Sequence, residues 1–247
     1  MNLPDLMGLA FVGLFLGLML GSAFYYRKRP APFVREIPAF GRLRRAIGLA
    51  VEAGSRLHLS LGRGNLISTR SAVAFVGLSI LDCIARSAAA SDRPPVATSG
   101  ESTLAILSQD TLHDASKFMG ADYDPLRGQL TGLTPFSYAV GAASLIHDEA
   151  TGASLLLGSF GSEVALITEA GDRTESLTLA GTDNLTGQAV LYATAQEPLI
   201  GEETYAGGAY MGAGGMHQAS LIAQDVFRWV IILALLVGAV LKLVGVL

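Results

Sequence analysis

Acidic side chains recur directly after short apolar segments of the chain. Four of them do so: Glu163, Asp183, Glu202 and Glu203. If these segments are parallel strands, their carboxyl ends meet at one edge of a sheet, where open α/β folds bind ligands. Converging carboxylates at that edge could bind a cation or work as an acid and a base. The alternative, which we favour, is that each carboxylate caps the helix that follows it.

Hydroxyl groups occupy the same kind of position. Ser159 lies between Gly158 and Gly161, where the chain must turn, and Ser99 and Thr182 also end apolar segments. These three residues therefore have the same two interpretations, as ligand contacts at the edge of the sheet or as local caps.

A glycine-rich turn near residue 62 is the nearest approach to a phosphate-binding loop. Gly62-Arg63-Gly64 follows a predicted strand and precedes a predicted helix, as a dinucleotide-binding loop would. However, Ile67 occupies the third glycine position, and no acid ends the next predicted strand. A loose phosphate or nucleotide site at Gly62 and Gly64 is one interpretation. The favoured one is a tight turn that leads into a helix.

Other catalytic patterns fail on inspection. His58-Leu-Ser60-Leu-Gly62 resembles a serine-hydrolase elbow, but histidine stands where the strained turn needs glycine, so we expect His58 to be a sheet residue bonded to its neighbours. The remaining histidines are scattered, and Cys83 is the sole cysteine. The sequence therefore predicts no catalytic residue, no metal site, no cofactor and no intrachain disulfide.

Strand and helix patterns alternate along the middle of the chain. Short apolar segments occur at residues 57–61, 95–98, 129–133, 154–157, 176–179 and 198–200. Helical patterns separate them, at residues 71–89, 101–119, 135–147, 163–170 and 185–195. Strand followed by helix, repeated in this way, predicts a Rossmann-like, doubly wound, mainly parallel α/β sheet of about six strands.

The two chain ends have a different composition. Charged residues make up only 15% of the chain, against about 25% in an average soluble protein. Residues 6–26 carry no charge and are long enough to cross about 30 Å of hydrocarbon. A cleaved signal peptide is the alternative, but Asp5 precedes the apolar run and the basic cluster follows it. We therefore expect an uncleaved N-terminal transmembrane helix.

Charge at the helix ends predicts the orientation. Arg27-Lys28-Arg29 directly follows the first helix, so the positive-inside rule places the N-terminus outside the cell and the central domain in the cytoplasm. A second helix, at residues 228–247, begins with Arg228 and Trp229 at the cytoplasmic interface and returns the chain outward. Lys242, near its end, should reach the outer surface or pair with Asp5. We expect the inner (plasma) membrane, with both termini extracytoplasmic.

Three glycines at four-residue spacing mark one face of the first helix. Gly13, Gly17 and Gly21 predict a groove that lets another helix approach closely. The partner is either a second copy of the chain or the C-terminal helix. The competing explanation is that glycine is simply common in membrane helices.

Five segments result: residues 1–28 as the first anchor, 29–56 as connector and basic helix, 57–206 as the α/β domain, 207–227 as hinge and lead-in, and 228–247 as the second anchor. The basic helix at 39–53 could rest on anionic headgroups or cover the sheet. The glycines from Gly207 to Gly215 are poor formers of regular structure, so we expect a hinge there.

Several of these motifs also resemble one family. They are Glu52-Ala-Gly54 leading into His58-Leu-Ser60-Leu-Gly62, the segment 156–163, Ala180-Gly-Thr182, and Ile200-Gly-Glu-Glu203 with Tyr205 and Tyr210. Across nearly its whole length the chain resembles an uncharacterised prokaryotic membrane-anchored family, domain of unknown function 6754. The resemblance implies this architecture with both anchors and carries no established activity.

Two classes of function fit these expectations. We favour a non-catalytic, homo-oligomeric assembly or scaffold protein, because two anchors and an Ala/Gly/Leu-rich domain suit copies packed side by side. The alternative is a membrane-tethered enzyme or sensor of a small, nucleotide-like ligand at the carboxyl edge of the sheet. Expected partners are the lipid bilayer, further copies and, as an open option, other membrane proteins. Nucleic acid is not expected, because the domain is acidic and its aromatic residues are not interleaved with arginine.

Overall fold

The computed structural model describes residues 3–27, 35–64, 72–88 and 91–245. It divides into two compact units, one formed by residues 35–213 and the other by the two chain ends, up to residue 34 and from residue 214. The proline-rich connector and Ile67 fall largely or wholly outside the described residues.

A single parallel sheet organises the central unit. Its strands are β1 (Arg56–Gly62), β2 (Val96–Ser99), β3 (Gly128–Leu130), β4 (Thr151–Ser159), β5 (Leu177–Thr182) and β6 (Glu197–Leu199). Their order is β3-β2-β1-β4-β5-β6, and every pairing is parallel. The predicted Rossmann-like, doubly wound sheet of six strands is confirmed, and this strand order is the one found in dinucleotide-binding folds.

The helices in chain order are α1 (Leu3–Tyr26), α2 (Pro38–Ala53), α3 (Ala72–Ala88), α4 (Ser102–Met119), α5 (Pro135–Asp148), α6 (Val164–Arg173), α7 (Leu185–Thr194), α8 (Glu203–Met211) and α9 (Gly215–Leu243). A short 3-10 helix, Pro125–Arg127, precedes β3. Caps fix several ends: Glu101 accepts from the Leu104 amide, and Thr134 and Ser137 form a capping box.

Both faces of the sheet are covered. On one face, α2, α3 and α4 pack against the alternate side chains Leu57, Leu59 and Leu61 of β1. On the other face, α5, α6 and α7 form a second core with residues such as Leu156 and Ala180. Strands covered on both sides lack alternation of apolar and polar residues, which explains the continuous apolar run in β4.

The basic helix α2 is a layer on the sheet. Five of its residues are buried there: Ala39, Phe40, Leu43, Ile47 and Ala50. Its Arg42 forms a salt bridge with Glu197 of β6, and Arg44 donates to the Tyr210 carbonyl. These contacts hold the Arg42 and Arg44 side chains against the domain. They agree with the interpretation that this helix covers the sheet.

The glycine segment after residue 206 differs from expectation. Gly207 and Gly208 are buried within α8. A Cβ on Gly207 would lie 2.7 Å from Ile80 Cδ1, so the Ile80 side chain would have to move to accept one. The chain turns only at Gly212 and Gly214, where φ is 80° and 124°. Residues 215–243 then form one helix, so the glycines up to residue 211 are helical where a hinge was expected, and the amphipathic lead-in continues directly into the second apolar helix.

The two chain ends form the second unit. Helices α1 and α9 are each long and apolar enough to cross a membrane. They run antiparallel: the Phe227 ring packs against Phe11 and Phe15, and the Ser22 hydroxyl donates to the Ala219 carbonyl at 3.3 Å. A Cβ on Gly13, Gly17 or Gly21 would meet no atom within 4 Å, so this glycine face is open within the chain.

Candidate functional site

The carboxyl edge of the sheet between β1 and β4 is where this topology would hold a ligand. From these two neighbouring strands the chain proceeds in opposite directions, toward β2 on one side and toward β5 on the other. In open α/β sheets such a switch point opens a crevice outside the strand ends. Gly62 and Ser159, two of the candidate site residues, face each other there.

In this protein the two backbones approach each other closely at the switch point. A Cβ on Gly158 would lie 2.0 Å from the Leu61 carbonyl oxygen, and one on Gly62 would lie 2.7 Å from the Ser159 carbonyl oxygen. Gly62 also has φ of 67°, which favours glycine. The two glycines therefore allow β1 and β4 to stay paired to their ends.

Backbone donors of the first turn are used inside the protein. The Arg63 amide donates to the Ser159 carbonyl at 3.1 Å, and the Gly62 amide donates to the Tyr138 hydroxyl at 3.1 Å. Gly64 is buried, and the residues that follow it lie outside the described part of the chain. A phosphate-binding loop instead directs such amides at its ligand. The described start of this loop thus has the geometry of a tight turn.

A buried polar chain lies beneath the turn, on the α5 face of the sheet. Tyr138 of α5 is fully buried, and its hydroxyl bonds the Ser60 hydroxyl as well as the Gly62 amide. His58 Nε2 and the Thr98 hydroxyl are hydrogen-bonded at 2.9 Å. His58 is therefore a sheet residue bonded to its neighbour, as predicted, and Ser60 is too deeply buried to serve as a nucleophile.

Burial shifts the ionisation of both aromatic groups. Desolvation lowers the pKa of His58 to about 3, so its ring is neutral at physiological pH. Burial also raises the pKa of Tyr138, against the opposing effect of its hydrogen bonds. Sequence reasoning missed Tyr138, because a tyrosine in a helix gives no signal of what its hydroxyl contacts.

Glu163 closes its own turn. The residue is 7% exposed, and its carboxylate accepts a hydrogen bond from the Gly161 amide at 2.9 Å. Gly161 lies in the turn before α6, and the Glu163 side chain makes no capping hydrogen bond to the helix itself. The carboxylate therefore satisfies a backbone donor of the turn, and the predicted helix cap is not formed.

Thr182 ties the ends of β4 and β5 together. Its hydroxyl accepts from the Phe160 amide at 3.0 Å and from the Asn184 amide at 3.3 Å. Asn184 in turn accepts from the Thr186 amide and caps α7. The Thr182 hydroxyl is thus fully engaged in connecting the two turns.

Asp183 is the exception among the edge residues. Its Oδ2 atom is buried and has no hydrogen-bond partner within the described residues, although buried carboxylate oxygens normally have one. The negative charge of Asp183 also contributes to a raised pKa of Tyr205, for which burial is the larger cause. The Asp183 carboxylate thus affects Tyr205 through its charge, at the β5 and α8 end of the edge.

The acids do not act on a common point. Glu163 binds the Gly161 amide and Glu203 pairs with Arg35, while Glu202 lies exposed in the turn before α8. Among the described residues, no group of three or more His, Cys, Asp or Glu side chains could hold a metal ion. The predicted convergence of carboxylates is therefore not formed among the described residues, and Asp183 is the edge acid with a buried oxygen that has no hydrogen-bond partner there.

A shallow groove of about 460 Å³ lies elsewhere, between α5 and α6. Val140 and Leu166 form its apolar part, and His147, Glu169 and Arg173 form its charged part. Glu169 and Arg173 already pair at 2.8 Å one helical turn apart. The groove is open and belongs to the outer surface of the domain.

The structure thus defines a doubly wound α/β domain accompanied by two helices that could span a membrane. Residues 4–247 match the family model described as "Domain of unknown function (DUF6754)", and the chain belongs to this family. No curated protein and no solved structure matches the chain.

Proposed function

We propose that the protein is a non-catalytic, membrane-anchored assembly protein that forms a homo-oligomer. The observation that carries this proposal is the internal use of polar groups at the carboxyl edge. The Gly62 amide binds Tyr138, the Arg63 amide binds Ser159, and the Glu163 carboxylate binds the Gly161 amide. An enzyme of this fold keeps such groups directed at its ligand.

Exposed apolar side chains support association between copies. On the outer surface of α5 and α6, Phe136 is 61% exposed and Val140 55%, with Leu166 beside them at 42%. Contiguous exposed apolar groups typically mark contact surfaces. Anchors at both chain ends would confine copies to one plane and raise their effective concentration.

The mass of the full chain in mild detergent tests the proposal. Native mass spectrometry should give a large homo-oligomer of defined copy number without a bound small molecule. A monomer that retains a small molecule would overturn the scaffold and favour a ligand-binding protein.

A second candidate function rests on Asp183 and Tyr205. A buried carboxylate oxygen without a partner among the described residues, whose charge also acts on Tyr205, suits a hydroxyl or amino group of a small ligand such as a nucleoside. Thermal unfolding of the full chain with ATP or NAD at millimolar concentration tests this sensor. A ligand at 100 times its Kd adds about 2.7 kcal/mol, which raises the Tm by several degrees. The scaffold proposal expects no rise, whereas a rise that the Asp183→Asn variant loses would establish the sensor.

The proposed location is the plasma membrane, with both termini outside and the α/β domain in the cytoplasm. The basic residues Arg27, Lys28 and Arg29 next to the first apolar run support this orientation. Lipid is then the first partner of α1 and α9, and other membrane proteins are candidates for the remaining surfaces.

A further inference from the structure

The pairing of α1 with α9 has a measurable register. Ser22 contacts Ala219, and Phe227 packs between the levels of Phe11 and Phe15. The helices are antiparallel and have the same rise per residue, so a residue of α1 and the residue of α9 that lies beside it have residue numbers whose sum is about 240. The middle of the apolar run in α1, near Leu16, therefore lies at the level of Asp225.

This register offsets the apolar parts of the two helices. The uninterrupted apolar run of α9, residues 230–241, is centred roughly 17 Å beyond the centre of the apolar run in α1, at about 1.5 Å per residue. A bilayer centred on α1 would place Asp225 and Arg228 in hydrocarbon. A bilayer centred on the apolar run of α9 would leave exposed apolar side chains of α1, such as Leu20 and Phe24, outside. Lipid alone fits neither placement, because about 30 Å of hydrocarbon must match both helices.

All charged residues of α9 share one side of the helix. At about 100° per residue, Asp225, Arg228 and Lys242 fall within an arc of about 100°. The residues that face α1 lie on the opposite side: Ala219 and Ala223 are buried, and Phe227 stacks on α1. The side chains of Asp225 and Arg228 are 64% and 51% exposed. A bilayer centred on α1 would place these charges at membrane depth, where charged groups almost always face protein or a water-filled cavity, so in that placement this side needs a cover.

We infer that the side of α9 that carries Asp225 and Arg228 packs against the same side of a second copy of this chain. This inference rests on the proposed homo-oligomer and names its interface. Asp225 and Arg228 of one copy pair at 3.4 Å, one turn apart. Two parallel copies about a two-fold axis bring the Asp225 carboxylate of each within reach of the Arg228 guanidinium of the other.

The spacing of the surrounding residues fits such a helix pair. Positions 221, 225, 228, 232, 235 and 239 alternate steps of four and three, as in the seam of a parallel coiled coil. Leu221, Ile232 and Leu235 supply apolar contacts on this seam, and the charged pair fixes its register. The Asp225–Arg228 pair is complementary to the same pair of a second copy, which favours a second copy over a partner with a single charge sign. Lys242, on the same side, lies roughly 21 Å further along the helix at about 1.5 Å per residue, near the end of α9, where its long side chain can extend to water.

Cross-linking of the full chain in its native membrane tests the interface. In a Cys83→Ser background, Ile232→Cys lies on the seam, and Val230→Cys is the control on the opposite side of α9, where it is also exposed. Mild oxidation should give a disulfide-linked dimer for Ile232→Cys at a level at least tenfold above Val230→Cys. Equal yields for the two variants, or a product with the mass of a different protein, would overturn the inference.

Charge exchange tests the role of the pair. In the Ile232→Cys background, Asp225→Arg should reduce the dimer yield at least threefold, and the double variant Asp225→Arg with Arg228→Asp should restore it. An unchanged yield for Asp225→Arg would mean that the charges merely reach the lipid surface. A large homo-oligomer by native mass that lacks the Ile232→Cys cross-link would refute this interface alone, whereas a monomer would refute the proposed function as well.

Discussion

At the scale of single residues, the face of the sheet beneath α5 is polar where the opposite face is apolar. His58 and Ser60 point to α5, while Leu57, Leu59 and Leu61 point to α2 and α3. Buried polar groups are stabilised by hydrogen bonds, and Thr98 and Tyr138 supply partners for His58 Nε2 and the Ser60 hydroxyl, while His58 Nδ1 has none among the described residues. This arrangement joins β1, β2 and α5 at specific atoms, so it selects one packing of α5 over others.

His58 makes stability depend on pH. Its folded pKa is lowered from 6.5 to about 3, so the unfolded chain binds a proton in this range and the folded chain does not. The stability that depends on the neutral ring is fully present above pH 6.5 and is lost as the pH falls toward 3. At pH 5 the free energy of unfolding is lower by roughly 2 kcal/mol than at neutral pH. Denaturant midpoints from pH 7 to 5 should fall less in His58→Gln than in the wild type. The control His147→Gln removes a ring that is 79% exposed and should retain the wild-type slope.

Tyr138→Phe tests the hydrogen bonds of the same cluster. The variant keeps the packed ring but leaves the Gly62 amide and the Ser60 hydroxyl without their partner, which costs about 1–3 kcal/mol. Urea unfolding in detergent should show this loss. Tyr192→Phe, at a tyrosine that is 75% exposed, should change the unfolding free energy by less than about 0.5 kcal/mol. Equal effects of the two variants would contradict a structural role of the Tyr138 hydroxyl.

At the scale of elements, the close approach of β1 and β4 is set by glycine. Gly158→Ala would place a methyl carbon 2.0 Å from the Leu61 carbonyl oxygen, so the strands must separate. We expect a loss of about 3 kcal/mol or more, or failure to fold, because backbone atoms cannot move aside as a flexible side chain can. Gly48→Ala in α2 meets no atom within 4 Å and should be neutral or stabilise by up to about 1 kcal/mol. Thermal unfolding of the two variants provides the comparison.

Periodic patterns made the sheet predictable from the sequence. Every predicted strand and helix of the domain lies within a few residues of its observed position, because apolar runs between turn residues depend on local sequence. Helix α8 was not foreseen, since the tight contact of Gly207 with Ile80 is formed between segments distant in the chain. The same reason applies to the candidate site. The sequence indicated which residues lie at the edge, but which of them bind each other, as Thr182 binds Phe160, depends on side-chain directions in the folded domain.

At the scale of the whole molecule, one chain combines an α/β domain whose strand ends are joined by polar contacts with two helices that are long and apolar enough to cross a membrane. In the proposed function, the domain supplies shape and the two helices would confine it to the plane of a membrane. This combination is what a repeated structural unit needs, because each copy must be stable alone and still present surfaces to its neighbours.

The proposed orientation predicts which thiols a membrane-impermeant reagent reaches. Cys83 lies in α3 of the domain and is partly exposed, so in intact cells it should be protected and should react with a charged maleimide only after the membrane is opened. In a Cys83→Ser background, Val244→Cys places a thiol just past α9 at a residue that is 68% exposed, and it should react in intact cells. The opposite labelling pattern would mean that the positive cluster after α1 faces outward and that the domain is extracytoplasmic. Labelling of both thiols in intact cells would mean that α9 does not cross the membrane, because a single crossing by α1 leaves the domain and its C-terminal end on the same side.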